Sequence, residues 1–245
     1  MAADPPRKLA LVTGASAGLG EAFARAYRRP RLRRGAGGAA RRAAAGAGER
    51  ARPAPWRRAL AVPADLSGWE AHVPVIDAIA AAGRHVDVLV NNAGFGIPQS
   101  FVAVPWERQR DFLMTMAVNA CGLAYDVIPG MVERGGGAIV NVGSLAAFSP
   151  GVAGNSLYPG VKGLMVRFSQ SLDAEYRAAG LKVTVVCPGS PRPSSLKRAG
   201  IDQIMQRENR RLWQTAEQVV AATIRGNERG KVVVIPGWHN KVAWR

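Results

Sequence analysis

Lys8-Leu9-Ala10-Leu11-Val12-Thr13-Gly14-Ala15-Ser16-Ala17-Gly18-Leu19-Gly20 is the stretch on which the reading of this chain turns. A short apolar run passes directly into a turn holding three glycines, and Glu21 to Arg28 continue as a helix-compatible run. In a strand, glycine turn and helix, each glycine has a distinct use. Gly14 permits a turn that a side chain would obstruct, Gly18 lets backbone amides approach a pyrophosphate, and Gly20 lets the helix pack on the strand. The helix that follows offers unpaired N–H groups and the positive end of its dipole to an anion.

Working outward, apolar runs recur at Ala59 to Val62, Val86 to Val90, Ala138 to Val142, Lys182 to Cys187 and Lys231 to Ile235. Helix-length segments lie between them, at Trp69 to Ala82, Trp106 to Val132, Ser156 to Ala179 and Thr215 to Arg225. Short runs rich in Val and Ile that alternate with helices predict a parallel sheet covered on both faces. The expected fold is therefore a doubly wound α/β domain spanning residues 1–245, with its ligand crevice outside the carboxyl ends of the strands.

The remaining chemistry-bearing residues fall at those strand ends. Asp65-Leu66 follows the run Ala59 to Val62, where a carboxylate either accepts from an adenine amino group or caps a helix. Asn91-Asn92-Ala93-Gly94 closes the run Val86 to Val90 with small residues suited to backbone contact with a ribose. Tyr158-x-x-x-Lys162 sets two side chains one helical turn apart on the same face, and Ser144 follows the strand before them. A free tyrosine has a pKa of about 10, so acid/base work near neutrality asks for roughly 3 units, or about 4 kcal/mol. An ammonium about 4 Å away in a site of effective dielectric near 20 supplies that order of energy. Tyr158 would then exchange a proton with a substrate hydroxyl or carbonyl while Ser144 holds the oxygen. Asn119 could hold a water linking Lys162 to bulk solvent.

Taken together and in this order, the glycine turn, Asn91-Asn92-Ala93-Gly94, Asn119, Ser144 and Tyr158-x-x-x-Lys162 resemble the short-chain dehydrogenase/reductase family, single-domain type with a TGxxxGxG turn. The resemblance implies a Rossmann-like sheet of about seven strands in the order 3-2-1-4-5-6-7. It also implies an NAD(P)-dependent enzyme that interconverts a secondary alcohol and a ketone by hydride transfer. Asn119, Ser144, Tyr158 and Lys162 would be its catalytic tetrad. Its cofactor contacts would be Gly14, Ser16, Gly18, Leu19, Gly20, Asp65, Leu66, Asn91, Ala93, Gly94, Tyr158, Lys162, Pro188 and Gly189. A homo-oligomer, dimer or tetramer, would form through the helices placed at 106–132 and 156–179. Loops at the strand ends make Phe95, Ile97, Leu145, Phe148, Val152, Leu157 and Pro191 the pocket candidates, with a lid from about Pro193 to Trp213 whose apolar face holds Ile201, Ile204, Met205 and Trp213. The substrate expected there is an apolar alcohol or ketone.

Three departures stand against the pattern. Pro159 and Gly160 follow Tyr158, a pair tolerated only if the helix starts there. Pro193, followed by Ser194 and Ser195, stands where the family commonly has a threonine after Pro188-Gly189. The third departure is Arg28 to Arg58, which holds 11 Arg, 9 Ala, 5 Gly and 3 Pro among its 31 residues and carries +10 of the chain's net +16. The other 214 residues carry only +6, an ordinary enzyme surface. The segment lacks lysine and interleaved aromatics and sits inside the chain, so a nucleic-acid arm is a poor reading of it. A catalytically silent homologue that binds nucleic acid through this segment is the alternative function it leaves open.

By position the segment replaces strand 2 and its helix, where the family carries the acidic residue that selects NAD or the basic one that selects NADP. Losing about five buried strand residues at roughly 1.5 to 3 kcal/mol each forfeits on the order of 10 kcal/mol, so marginal folding and weak cofactor binding are expected. The two cysteines, Cys121 and Cys187, exclude a disulfide framework, and no His or Cys spacing fits a metal. No window of 18 unbroken apolar residues occurs, so a soluble cytoplasmic protein is expected.

Replacement at constant length by residues whose codons begin with two G/C bases is what a compensated frameshift produces. The shifted frame permits Leu-Val-Ala-Arg-Arg across positions 36 to 40, a basic strand end that favours NADP over NAD. Nucleotide sequencing across codons 28 to 58 is expected to show the shift; an intact frame with these same codons would overturn it.

Overall fold

A computed structural model describes residues 8–28, 60–151, 153–189 and 214–237. Its five strands are β1 (Ala10–Val12), β2 (Val88–Asn91), β3 (Gly137–Val142), β4 (Leu181–Val186) and β5 (Val233–Val234). All pair in parallel, in the order β1-β2-β3-β4-β5. That is the 1-4-5-6-7 part of the expected order, found strand for strand. Strand 2 and the Arg-rich segment lie outside the described residues, apart from Arg28 at the end of the first helix. The strand expected at Ala59 to Val62 is not found over its described part, Leu60–Val62, which has no partner in the sheet. Leu60 is 52% exposed there, as befits a run whose neighbour in the expected order would be strand 2.

Period-2 alternation divides the strand side chains between two apolar layers. On β2, Leu89 faces one layer and Val88 and Val90 the other. The first layer packs against α2 (Val73–Ala81), α4 (Asn119–Glu133) and α5 (Tyr158–Tyr176) through Val75, Ile79, Leu123, Val127, Met131 and Leu172. The second packs against α1 (Gly18–Arg28) and α6 (Ala216–Glu228) through Phe23, Tyr27, Val219 and Val220. Phe23 and Leu89 are completely buried, each stabilising by about 1.5 to 3 kcal/mol.

The single helix expected at 106–132 is built in three parts. α3 (Trp106–Leu113) leads into a π-helical turn, Met114–Val118, and then into α4. The extra residue in that turn lets the Asn119 N–H reach back five residues to the Met114 carbonyl. The continuous stretch Trp106–Glu133 is long and apolar enough to cross a membrane by length and composition, but half of it is buried inside the protein. Its apolar side belongs to the core: Phe112, Leu123 and Met131 are each at most 1% exposed. In α5, Tyr158 and Pro159 occupy the first turn, so Pro159 takes no bond from the helix interior.

A polar latch closes the carboxyl end of the sheet. The Thr13 hydroxyl accepts from the backbone N–H of both Asn92 and Ala93, each at 2.9 Å, and lies 3.3 Å from the Val90 carbonyl to which it donates. The Asn92 amide donates back to the Thr13 carbonyl at 2.9 Å. Thr13→Val keeps the shape and strands two N–H groups beside a side chain that is only 8% exposed. It is expected to cost about 1 to 3 kcal/mol in urea unfolding; an unchanged midpoint and slope would show that the latch does not hold the turn.

Candidate functional site

The latch fixes the glycine turn against the end of β2, and the fit there is exclusive. A Cβ added to Gly20 would lie 2.1 Å from the Gly14 carbonyl oxygen and 2.5 Å from the Asn92 amide nitrogen. Gly14 and Gly18 have φ of +63° and +60°, where side chains are disfavoured, and a Cβ at Gly18 would face open space. Residues 14–18, Ser16 among them, are exposed ahead of the α1 N-terminus. Leu19 and Gly20 turn inward, and Leu19 packs beneath the sheet with the α1 face. This cradle fits a dinucleotide pyrophosphate, bound by backbone amides and a helix dipole.

Asp65 is exposed and its Oδ1 accepts from the Ser67 N–H at 3.0 Å. That bond holds its carboxyl below the usual carboxylate range. It caps a turn, not a helix, since the next helix begins only at Val73. Leu66 is buried and lines a narrow cleft. Thr13, Asn91, Ala93, Met116, Ala120, Val142 and Lys162 line the rest of that cleft. Asn91 donates to the Ala120 carbonyl at 2.9 Å and to Asn141 Oδ1 at 3.0 Å, while its own buried Oδ1 has no partner among the described residues. Asn141 in turn donates to Ser169 on α5, so polar bonds cross the sheet and tie β2, β3 and α5 together. Gly94 sits against the Met116 side chain, 3.1 Å from where its Cβ would stand.

Ser144, Tyr158 and Lys162 converge at the same end. Ser144 opens a short 3-10 turn, Leu145–Phe148, and accepts from the Ala146 N–H at 3.1 Å. It also stands near enough to Tyr158 to draw that phenol's pKa down. Pro188 and Gly189 follow β4 alongside, the Pro188 carbonyl accepting from the Leu145 N–H at 3.0 Å. Lys162 is only 7% exposed; its Nζ donates to the Val142 carbonyl at 2.8 Å and stands 5.5 Å from the Tyr158 ring centroid. Burial lowers the Lys162 ammonium from 10.5 to about 8, and the neighbouring Cys187 acts the other way. Burial also pushes the Tyr158 phenol above its usual value, against the pull of Ser144. The lowered phenol expected from the sequence is therefore not found: both groups lose water, and the ammonium is engaged by a carbonyl. Cys187, fully buried beneath, is pushed up to about 12 by burial and stays a thiol.

Asn119 stands at the start of α4. It is completely buried, and its Nδ2 donates to the Leu66 and Gly68 carbonyls at 2.9 and 2.8 Å and to Met114 at 3.3 Å. Its Oδ1 accepts from the His72 backbone N–H at 3.1 Å. The Asn119 side chain thus holds the turn after Asp65.

Of the pocket candidates, Phe95, Ile97 and Leu157 pack with Phe112 and Tyr158. A second, narrow hollow opens there, lined by Ile97, Gln99, Phe112, Asn155, Leu157 and Tyr158 among others. Leu145 is half-buried in the turn after Ser144. Phe148 instead packs on Val166, Val185 and Cys187, beneath the sheet end. Val152, Pro191, Pro193, Ser194, Ser195 and the expected lid lie outside the described residues. Sequence reading passed over Thr13, a contact of the turn, and His72, for which no motif gave a signal.

The fold and this strand-end cradle define a dinucleotide-binding α/β oxidoreductase. A profile of the short chain dehydrogenase family matches residues 8–203, and the chain belongs to that family. It is 35% identical over 187 residues to an uncharacterized oxidoreductase of Myxococcus xanthus, covering 76% of this chain and 73% of that protein. It is 32% identical over 188 residues to the NADP-dependent 3-hydroxy acid dehydrogenase YdfG of Salmonella typhi, covering 74% of this chain and 71% of that one. Among solved structures it is similar to a short-chain dehydrogenase from Sphingobium yanoikuyae in complex with NADPH, with 29% identity, a TM-score of 0.74, and coverage of 97% and 91%. A bulky-bulky ketone specific alcohol dehydrogenase from Comamonas testosteroni matches at 25% identity and a TM-score of 0.71, covering 96% of this chain and 88% of that one.

The lysine makes a testable contribution to stability. Between about pH 8 and 10.5 the unfolded chain holds the Lys162 proton that the folded protein has released, so Lys162 disfavours folding below this window and ceases to as pH rises through it. The difference in unfolding free energy between wild type and Lys162→Met should therefore move in favour of wild type from pH 8 to 10.5; a difference independent of pH would refute the buried ammonium.

Proposed function

We propose that this protein is an NADP(H)-dependent reductase of an apolar ketone, interconverting it with the secondary alcohol. The observation that carries the reading is the buried Lys162 beside Tyr158, with Ser144 close enough to influence that phenol. The cofactor, when bound, supplies or accepts the hydride. Tyr158 delivers the proton at the substrate oxygen, and its raised pKa keeps the phenol protonated at neutral pH, the form that reduction needs. Ser144 Oγ holds that oxygen, and the Lys162 charge stabilises the phenolate that remains. Asn119 takes part in the proton relay through its main chain, since its side-chain amide is committed.

Gly14, Ser16, Gly18, Leu19 and Gly20 would receive the pyrophosphate, Asp65 and Leu66 the adenine, and Asn91, Ala93, Gly94, Pro188 and Gly189 the ribose and nicotinamide side. The apolar hollow at Ile97, Phe112 and Leu157 is suited to an alkyl or aryl group, with no charged anchor among its lining residues. The NADP-dependent relative, the NADPH-bound neighbour and the ketone specificity of another neighbour support the cofactor and substrate class. The exposed faces of α4 and α5, with Val118, Tyr125 and Leu164 at 40%, 80% and 43%, suit a homo-oligomer of a cytoplasmic enzyme.

Fluorescence titration is expected to give saturable binding of NADPH, tighter than that of NADH. With aryl alkyl ketones, Tyr158→Phe should lose at least about a hundred-fold in kcat while still binding NADPH. Reduction by wild type should weaken as pH rises through about 8, where Lys162 loses its charge. Retained turnover in Tyr158→Phe would sink the mechanism.

A further inference from the structure

Asn119 is held from behind by a pair of side chains outside the motifs that identify the family. His72 lies just ahead of α2, and its Nδ1 is 2.8 Å from Asn119 Oδ1. The Asn119 Nδ2 is engaged by carbonyls, so Oδ1 is the acceptor and His72 Nδ1 carries the hydrogen. On its other side, His72 Nε2 stands 3.5 Å from Asp126 Oδ2 on α4. That carboxylate oxygen is buried and has no hydrogen-bond partner among the described residues, so the imidazole is what faces it. The His72 and Asp126 side chains are 13% and 24% exposed. Gly122 leaves the space for the ring: a Cβ there would come within 2.5 Å of His72 Cε1.

The geometry points to His72, packed between Asp126 and Asn119, as a positioning residue that fixes the Asn119 amide and, through it, the turn at Leu66–Gly68 on the adenine side of the cleft. The chain of contacts is continuous. Asp126 faces His72 across 3.5 Å, His72 grips Asn119 Oδ1 with both its ring and its backbone N–H, and Asn119 Nδ2 holds the carbonyls of Leu66 and Gly68. Asp65, which opens that turn, is otherwise tied only to Ser67 among the described contacts. An amide free to rotate would present its oxygen to those carbonyls, and the turn would lose its seat. The arrangement acts on where Asp65 and Leu66 stand, not on the reacting atoms. Its effect on catalysis rests on the cofactor assignment above.

Two substitutions separate the halves of the contact. His72→Asn places an amide donor near Nδ1 and loses the reach to Asp126, whereas His72→Gln reaches toward Asp126 and loses Asn119. Hydrogen–deuterium exchange of the unliganded protein is expected to speed up in segment 66–71 for His72→Gln, and to return close to wild type in His72→Asn. With NADPH, His72→Gln should raise both the Kd and the cofactor KM roughly ten-fold, the loss of about one hydrogen bond. Its kcat at saturation should stay within about two-fold, and His72→Asn should restore the affinity. If both variants exchange faster throughout the protein and melt earlier together, His72 is merely structural and the inference fails. If wild type binds no NADPH, the cofactor reading fails, while exchange in segment 66–71 still decides the role of His72.

Discussion

The approach of the glycine turn to the end of β2 is the contact on which the rest of the site depends. Gly20 stands so close to the Gly14 carbonyl that no side chain could be there, and the Thr13 hydroxyl gathers two backbone N–H groups that would otherwise be stranded. This contact positions the start of α1, whose free amides form the anion cradle, directly over Asn92 and Ala93 at the mouth of the main cleft. An atom added at Gly20 meets backbone rather than a flexible side chain, so packing cannot relax around it. The site thereby inherits the rigidity of the sheet.

Buried polar groups make the second constraint, and they are arranged with uneven compensation. Asn141, Asn91 and Ser169 are joined by bonds of 2.8 to 3.0 Å that cross β2, β3 and α5, which offset their desolvation except at Asn91 Oδ1. Lys162 is different: one carbonyl bond at 2.8 Å does not replace three lost water contacts, and its ammonium weakens accordingly. A strained acid/base group beside a cavity is common at functional sites because the cost is recovered when a ligand arrives. The unpartnered Asn91 Oδ1 in the same cleft has the same character: a polar atom held dry and aimed at a space.

The parallel strands, the helices and the pairing of Tyr158 with Lys162 were legible in the sequence because each depends on local signals, whereas the strand order followed from the family resemblance. Period-2 runs of Val and Ile, glycines at fixed offsets and a four-residue spacing on one helix survive in a linear reading. The first turn of α5 was also legible, since Pro159 can occupy little else. Contacts between segments distant in sequence were not. Asn119 and the Leu66–Gly68 turn are about fifty positions apart, and the π-helical turn that brings them together leaves no mark in composition. The same limit hid the direction of the Tyr158 shift. Sequence places a cation one turn away, but only the fold says that Val142 takes its bond and that both groups are dry.

This division bears on the Arg-rich segment. The five described strands, both apolar layers and the strand-end cradle are assembled from residues outside its interior, and β1 draws its ladder bonds from β2 alone among the described strands. Of the strand expected at Ala59 to Val62, the described part, Leu60–Val62, has no partner in the sheet; Leu60 is half exposed, and Asp65 has the local bond to Ser67 and the turn held by Asn119. Ser144, Tyr158 and Lys162 are carried by the end of β3 and by α5, whereas Asp65 follows a run that has no partner in the sheet over its described residues. Residues 28 to 58 hold +10 of the net +16, so most of the charge belongs to one segment and not to the surface as a whole.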